Sequence, residues 1–171
     1  GNQLSTFLPS ADHLQVPLIL YGEPEHDLYL NHLQARYSLV AVSHGLGKSW
    51  IDPDSIDLEL ERLARVVQRT QSPWVVEVLV FLPSPSALAP ATIALPRFQK
   101  TLDTIFHYLN QNQKKVDCAV LLRNQSPLFD LEHELSWEEF WGQLEQKNRC
   151  AFDLDILHFF LSAKRLKASP M

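Results

Sequence analysis

The segment Ser43-His44-Gly45-Leu46-Gly47-Lys48-Ser49 has the most chemical-looking pattern in this sequence, because phosphate-cradling loops end in Gly-Lys-Ser. Such a loop follows a strand and opens a helix, so that backbone N–H groups wrap an anion at the helix terminus. Two features count against it here. The leading glycine of the pattern would stand where the sequence has Val42, and Trp50-Ile51-Asp52-Pro53 does not open a helix directly. The segment therefore reads as a glycine loop with solvated charges. Seven histidines (His13, His26, His32, His44, His107, His133 and His158) are scattered. None forms a His-x-x-x-His pair with an acidic neighbour or a ligand spacing with Cys118 or Cys150, so no metal site is expected. Glu132-His133-Glu134 sets acid and base side by side, but in a polar loop where solvation is the expected fate. Ser43 and Cys118 lack an identifiable base, and Cys118 reads as a small buried hydrophobe in mid-strand. Glu77 interrupts an apolar strand; one solvent-facing pleat or an edge position would accommodate it, and it is assigned no role.

These residues sit in a chain of 171 residues, the size of one domain. Apolar residues make up 46% and charged residues 20%, which excludes disorder and collagen-like structure. Fifteen Lys and Arg against twenty Asp and Glu give −5, which argues against a nucleic-acid surface built from bulk charge. Two cysteines are too few for a disulfide framework. No run of uncharged apolar residues reaches the length of about 18 needed to span a membrane, so a cytoplasmic location is expected. The start at Gly1-Asn2 reads as a processed or tag-derived end, which leaves the natural length open.

The periodicities order the elements. Residues 1–15 are expected to be an extension, followed by a single domain over 16–171. Val16–Tyr21 reads as a buried strand, Pro24 to Arg36 as a helix, and Ser38–Ser43 as a second strand. Asp52-Pro53-Asp54-Ser55 is a capping cluster ahead of a helix to Arg69, with Ile56, Leu60, Leu63, Ala64 and Val67 on one face. Trp74–Leu82 is the strongest strand signal. A loop punctuated by Pro83, Pro85, Pro90 and Pro96 leads to a helix marked by Phe98, Leu102, Ile105, Phe106 and Leu109. Val116–Leu122 is a fourth strand, and Ser136 would cap one long helix running to about Leu166. The βαβαβαβα order predicts an α/β fold: a Rossmann-like three-layer sandwich with a mostly parallel sheet and a long C-terminal helix.

Lys115-Val116-Asp117-Cys118-Ala119-Val120-Leu121-Leu122 resembles the fourth strand of the short-chain dehydrogenase/reductase family, and Trp137-Glu138-Glu139-Phe140-Trp141 with Asn148 and Phe152 resembles the helix that follows it there. Leu18–Gly22 falls where that family has its first strand and glycine turn. Leu33-Gln34-Ala35-Arg36 leading into Leu39–Val42 is similar to the approach to its second strand. The resemblance implies strand order 3-2-1-4, with a dinucleotide crevice between the first and fourth strands. It would place Gly22, His44, Lys48, Arg123 and Asn124 as vestigial cofactor-binding positions.

The departures from that family are in its working parts. Its Gly-rich turn is replaced by Tyr21-Gly22-Glu23-Pro24-Glu25-His26-Asp27, where carboxylates would face an anion. No Tyr-x-x-x-Lys occurs, because four places beyond Tyr21, Tyr29, Tyr37 and Tyr108 stand Glu25, Leu33, Ala41 and Asn112. The resemblance therefore implies a non-catalytic relative without catalytic residues or cofactor, with an NAD- or NADP-dependent oxidoreductase (or its cofactor-binding half) as the alternative. The segment from Cys150 to Ala163 is apolar on nearly every side and needs a cover. Helix 137–166 is accordingly expected to mediate a homodimer or another protein contact.

Overall fold

The computed structural model describes residues 12–18, 21, 24–46, 55–81, 93–125, 131–132, 134–148 and 151–168. Its elements in chain order are β1 (His13–Pro17), α1 (Pro24–Gln34), β2 (Ser38–Ser43), α2 (Ile56–Thr70), β3 (Trp74–Val78), β4 (Val80–Phe81), β5 (Ile93–Ala94), α3 (Gln99–Lys115), β6 (Ala119–Arg123), α4 (Trp137–Asn148), β7 (Ala151–Asp153) and α5 (Ile156–Ala168). The α/β class is as expected: a parallel sheet alternates with helices.

The strand order differs from expectation. It is β1-β2-β3-β6-β7, each strand beside its predecessor in the main sheet, in place of 3-2-1-4. All four neighbouring pairs are parallel. Crossovers between parallel strands are right-handed. When each one advances in the same direction, the helices fall on one face, as they do around a βα-barrel. The burial agrees. Strand residues Val16, Leu39, Ala41, Val75 and Leu122 share one core with Leu30 of α1, Leu60 and Leu63 of α2, Leu102 and Ile105 of α3, and Phe140 and Leu144 of α4. The opposite face carries a second buried cluster of Val40, Val42, Val76, Val78 and Val80, with Trp74 and Leu121 beside it, drawn entirely from strand segments.

This face is concave. Gln15 of β1 accepts a hydrogen bond from Arg123 of β6 although β2 and β3 lie between them. Three strand spacings of roughly 4.8 Å separate the two backbones in a flat sheet, about the limit of two extended side chains. Curling toward this face brings them together. The rings of His13 and Trp74, with β2 between their strands, also meet edge to face at 5.3 Å.

Local sequence explains the elements. β2 is apolar on both faces because both are covered, with Leu39 through Ser43 all buried. In α2, Ile56, Leu60, Leu63, Val66, Val67 and Thr70 face inward at helical spacing. Ser55 holds its N-cap position without a side-chain capping bond, and positions 52–54 of the expected capping cluster lie outside the described residues. Ser136 does cap α4: the Glu139 amide donates to its hydroxyl at 3.1 Å and its own amide donates to Glu139 Oε2 at 2.9 Å. Those bonds hold the Glu139 carboxyl below its usual range. Arg97 and Glu134, bridged at 2.8 Å and largely enclosed, fasten the approach to α3 against the approach to α4.

Several boundaries are corrected. The first strand covers His13–Pro17 where 16–21 was expected, so it begins inside the stretch 1–15 expected to be an extension, and residues 19 and 20 of the expected strand lie outside the described residues. The strand expected over 74–82 breaks after Val78, and the short antiparallel pair β4–β5 follows. Most of the proline-punctuated loop, 82–92, lies outside the described residues. The single helix expected over 137–166 is two helices with the edge strand β7 between them.

Candidate functional site

Parallel βα sheets gather side chains at the carboxyl ends of their strands, where each chain turns into its loop. The register sets Val78, Arg123 and Asp153 in one row across the ends of β3, β6 and β7. Adjacent residues in such a row stand on the same face, here the concave one. Arg123 uses this placement. Its Nε donates to Asp153 Oδ2 at 2.8 Å, and its Nη2 donates to the same oxygen and to Gln15 Oε1. Both partners of the ion pair are mostly enclosed, with side-chain exposures of 18% and 24%. The Nη1 protons of Arg123 bond to none of the described residues.

The next residues brace this row. Asn124 Nδ2 donates to the Asp155 carbonyl at 3.1 Å, and the Asp155 amide donates to Asn124 Oδ1 at 2.6 Å. Asp155 also begins α5, accepting the His158 amide at 3.0 Å on Oδ1. One asparagine thus ties the loop after β6 to the start of the last helix, and Arg123 ties β6 itself to β7.

A second polar cluster lies beneath the same end of the sheet, on the helix-bearing face. Glu77 of β3 is fully enclosed. Its Oε1 accepts the Leu46 amide at 2.9 Å and its Oε2 accepts the Tyr108 hydroxyl at 2.9 Å. The Ser43 hydroxyl is a further hydrogen-bond partner. Burial pushes the Glu77 carboxyl up to about 7, and the three hydrogen bonds pull in the opposite direction.

Of the positions expected to form a vestigial cofactor crevice, Arg123 and Asn124 lie at the end of β6 and take part in the network above. His44 directly follows β2, in the turn that Glu77 holds. Gly22 and Lys48 lie outside the described residues. Asp153, Asp155 and Gln15 were missed, because the first two were read as interior to a long helix and the third as part of an extension. Glu77 was noticed and misplaced: it faces neither solvent nor an edge, but stands fully buried in the middle strand of the sheet. Cys118 precedes β6 and is half-buried. Among the described residues no group of three or more His, Cys, Asp or Glu is arranged to hold a metal ion.

Sequential parallel strands alternating with helices, a valine-lined concave face and polar side chains collected at the strand ends define a layered α/β protein, a class in which ligands gather at the carboxyl ends of the strands. The particular membership follows from comparison. The profile of the RiPP precursor modification enzyme family MbnB/TglH/ChrH matches residues 18–171, and this chain belongs to that family. A UPF0276 protein of Psychromonas ingrahamii is 25% identical over 160 residues, which cover 91% of this chain and 56% of that relative. A UPF0276 protein of Caulobacter vibrioides is 30% identical over 129 residues, covering 74% of this chain and 46% of the relative. The chain thus spans about half the length of these curated relatives.

The short-chain dehydrogenase resemblance is therefore overturned, and with it both the degenerate-dehydrogenase function and the oxidoreductase alternative. The apolar strand and amphipathic helix that suggested it are what alternating βα units share, whatever the family. The sequential strand order also leaves no crevice between neighbouring first and fourth strands. The dinucleotide expectation rested on that resemblance.

Proposed function

We propose that this chain acts in the cytoplasm on a ribosomally made precursor peptide, which it holds at the carboxyl-end mouth with Arg123 and Asp153 as the anchoring pair. Family membership supports the class of substrate, and the Gln15–Arg123–Asp153 network carries the choice of site. One guanidinium beside the carboxylates of Asp153 and Asp155 leaves the mouth without net positive charge, which disfavours a free anion as ligand. A peptide bond offers what the pair lacks: a carbonyl for the Nη1 protons and an N–H for a carboxylate oxygen.

The test is co-production of the chain with each small open reading frame beside its gene, followed by affinity capture and mass spectrometry. One peptide is expected to be retained, and Arg123→Ala is expected to weaken its retention roughly tenfold or more, the loss typical of a charge-assisted hydrogen bond. Retention of none of the peptides, or equal retention by Arg123→Ala, overturns the reading.

A second, compatible reading concerns association. β7 is an edge strand, and α5 exposes Ile156, Leu157, Phe159 and Phe160, the first of these at 74%. Large apolar side chains clustered on one element are the mark of a protein-binding surface. The reading is that a second copy of the chain covers them. Light scattering after size exclusion is expected to give a dimer, and a strict monomer at high micromolar concentration rejects it.

A further inference from the structure

One carboxyl beneath the sheet holds two donors of a turn. Glu77 receives the Leu46 amide at 2.9 Å and also bonds Ser43. The Ser43 oxygen in turn accepts the Gly45 amide at 3.0 Å. Residues 43, 45 and 46 are therefore fixed by way of a single side chain, and His44 lies between them. From the other side Tyr108 of α3 donates to Glu77 at 2.9 Å. There is no slack in this arrangement: a Cβ on Gly45 would stand 3.1 Å from the Tyr108 hydroxyl and 3.3 Å from Ser43 Oγ.

We propose that Glu77 is a pH-sensitive positioning residue for the turn that carries His44: ionised, it clamps the turn to α3, and protonated, it lets the turn loosen. This goes beyond the peptide reading and does not depend on it. Hydrogen bonds to a charged acceptor are about twice as strong as neutral ones, so the same contacts weaken when the carboxyl gains a proton. Burial brings that protonation up to about pH 7, and Glu59 of α2 adds a like charge in the same direction. Tyr108, the titratable group facing Glu77 from α3, is itself pushed well above its usual range by burial and by Glu77. It therefore stays protonated and donating through neutrality. β2 and the turn face Glu77 with the Ser43 hydroxyl and the Leu46 amide. Imidazoles titrate in the same window, so His44 needs its own control.

The test is a titration of the full 15N-labelled chain between about pH 5.5 and 8.5, reading the Leu46 amide signal and its exchange protection after correction for intrinsic exchange. The Leu46 signal is expected to follow one titration with a midpoint near 7, and its protection to rise by about tenfold toward the alkaline side. Glu77→Gln, which keeps the volume and an acceptor, should abolish the titration. His44→Asn should retain it. Tyr108→Phe removes a donor to the carboxylate and should move the midpoint upward, which keeps the proposal testable if Glu77→Gln fails to fold. A flat Leu46 profile in the native chain overturns it. So does a titration that survives Glu77→Gln, disappears in His44→Asn, or keeps its midpoint in Tyr108→Phe.

Discussion

Glu77 and Arg123 put charge in two different settings at the same end of the sheet. Arg123 is paired with Asp153 on the concave face; Glu77 is sealed on the opposite face and answers to three donors. The difference has a consequence for stability. The Glu77 carboxyl rises from 4.5 to about 7 on folding, so between those values the folded state binds the extra proton. Its contribution is fully present below about pH 4.5, falls as pH rises through 7, and is level above. Urea unfolding of the native chain is expected to lose on the order of 2–3 kcal/mol relative to Glu77→Gln across that window. A native-minus-variant difference that stays constant with pH would show that Glu77 does not titrate there. Global stability and the hold on the Leu46 amide then change in opposite directions with pH, a pairing that general acid loosening does not produce. Neither role was legible from W-V-V-E-V, because a strand pattern says which face a residue takes only once its neighbours are known.

The helices and strands were the most legible part of this chain where both neighbours are regular. β2 falls at 38–43 as the apolar run predicts, and α2 ends within one residue of expectation. The end of α2 carries a local cost. Gln71 adopts φ 54°, a left-handed conformation suited to glycine, while its amide closes the helix on the Val67 carbonyl. Gln71→Gly is expected to raise stability by about 0.5–1 kcal/mol, visible as a higher urea midpoint with unchanged slope. A lower midpoint would mean that the exposed Gln71 side chain contributes something the backbone geometry does not show. Edges were harder to read than centres. β1 is half-exposed and contains Pro17, which lacks an N–H to donate and is tolerated because the strand has one neighbour. β7 has three residues, too few to interrupt a helical apolar pattern from Cys150 onward, and its signal was the Asp-Leu-Asp that closes the strand and caps α5.

At the scale of the molecule, an exposed apolar helix remains after the described elements have packed. If a second copy covers α5, the contact is apolar, and its strength should change little with salt, since screening acts on charges. Phe159→Asp with Phe160→Asp is expected to turn a light-scattering dimer into a monomer while the circular dichroism of the fold persists. A dimer that survives the double variant would place the contact elsewhere. No helix among the described residues is long and apolar enough to cross a membrane.

Alternating apolar strands and amphipathic helices determined the α/β class, the parallel pairing and most of the core, because burial of a two-residue or 3.6-residue period is a local demand that the residues themselves state. They also brought Arg123 and Asn124 to a strand end. Strand order was decided only in three dimensions: a βα unit has the same pattern whether its crossover steps back toward the first strand or onward past the last. That direction fixed which face holds the helices, curled the sheet until Gln15 met Arg123 across two intervening strands, and set Asp153 beside it. Contacts separated by about a hundred residues leave no period in the sequence, which is why the site had to be found in the fold.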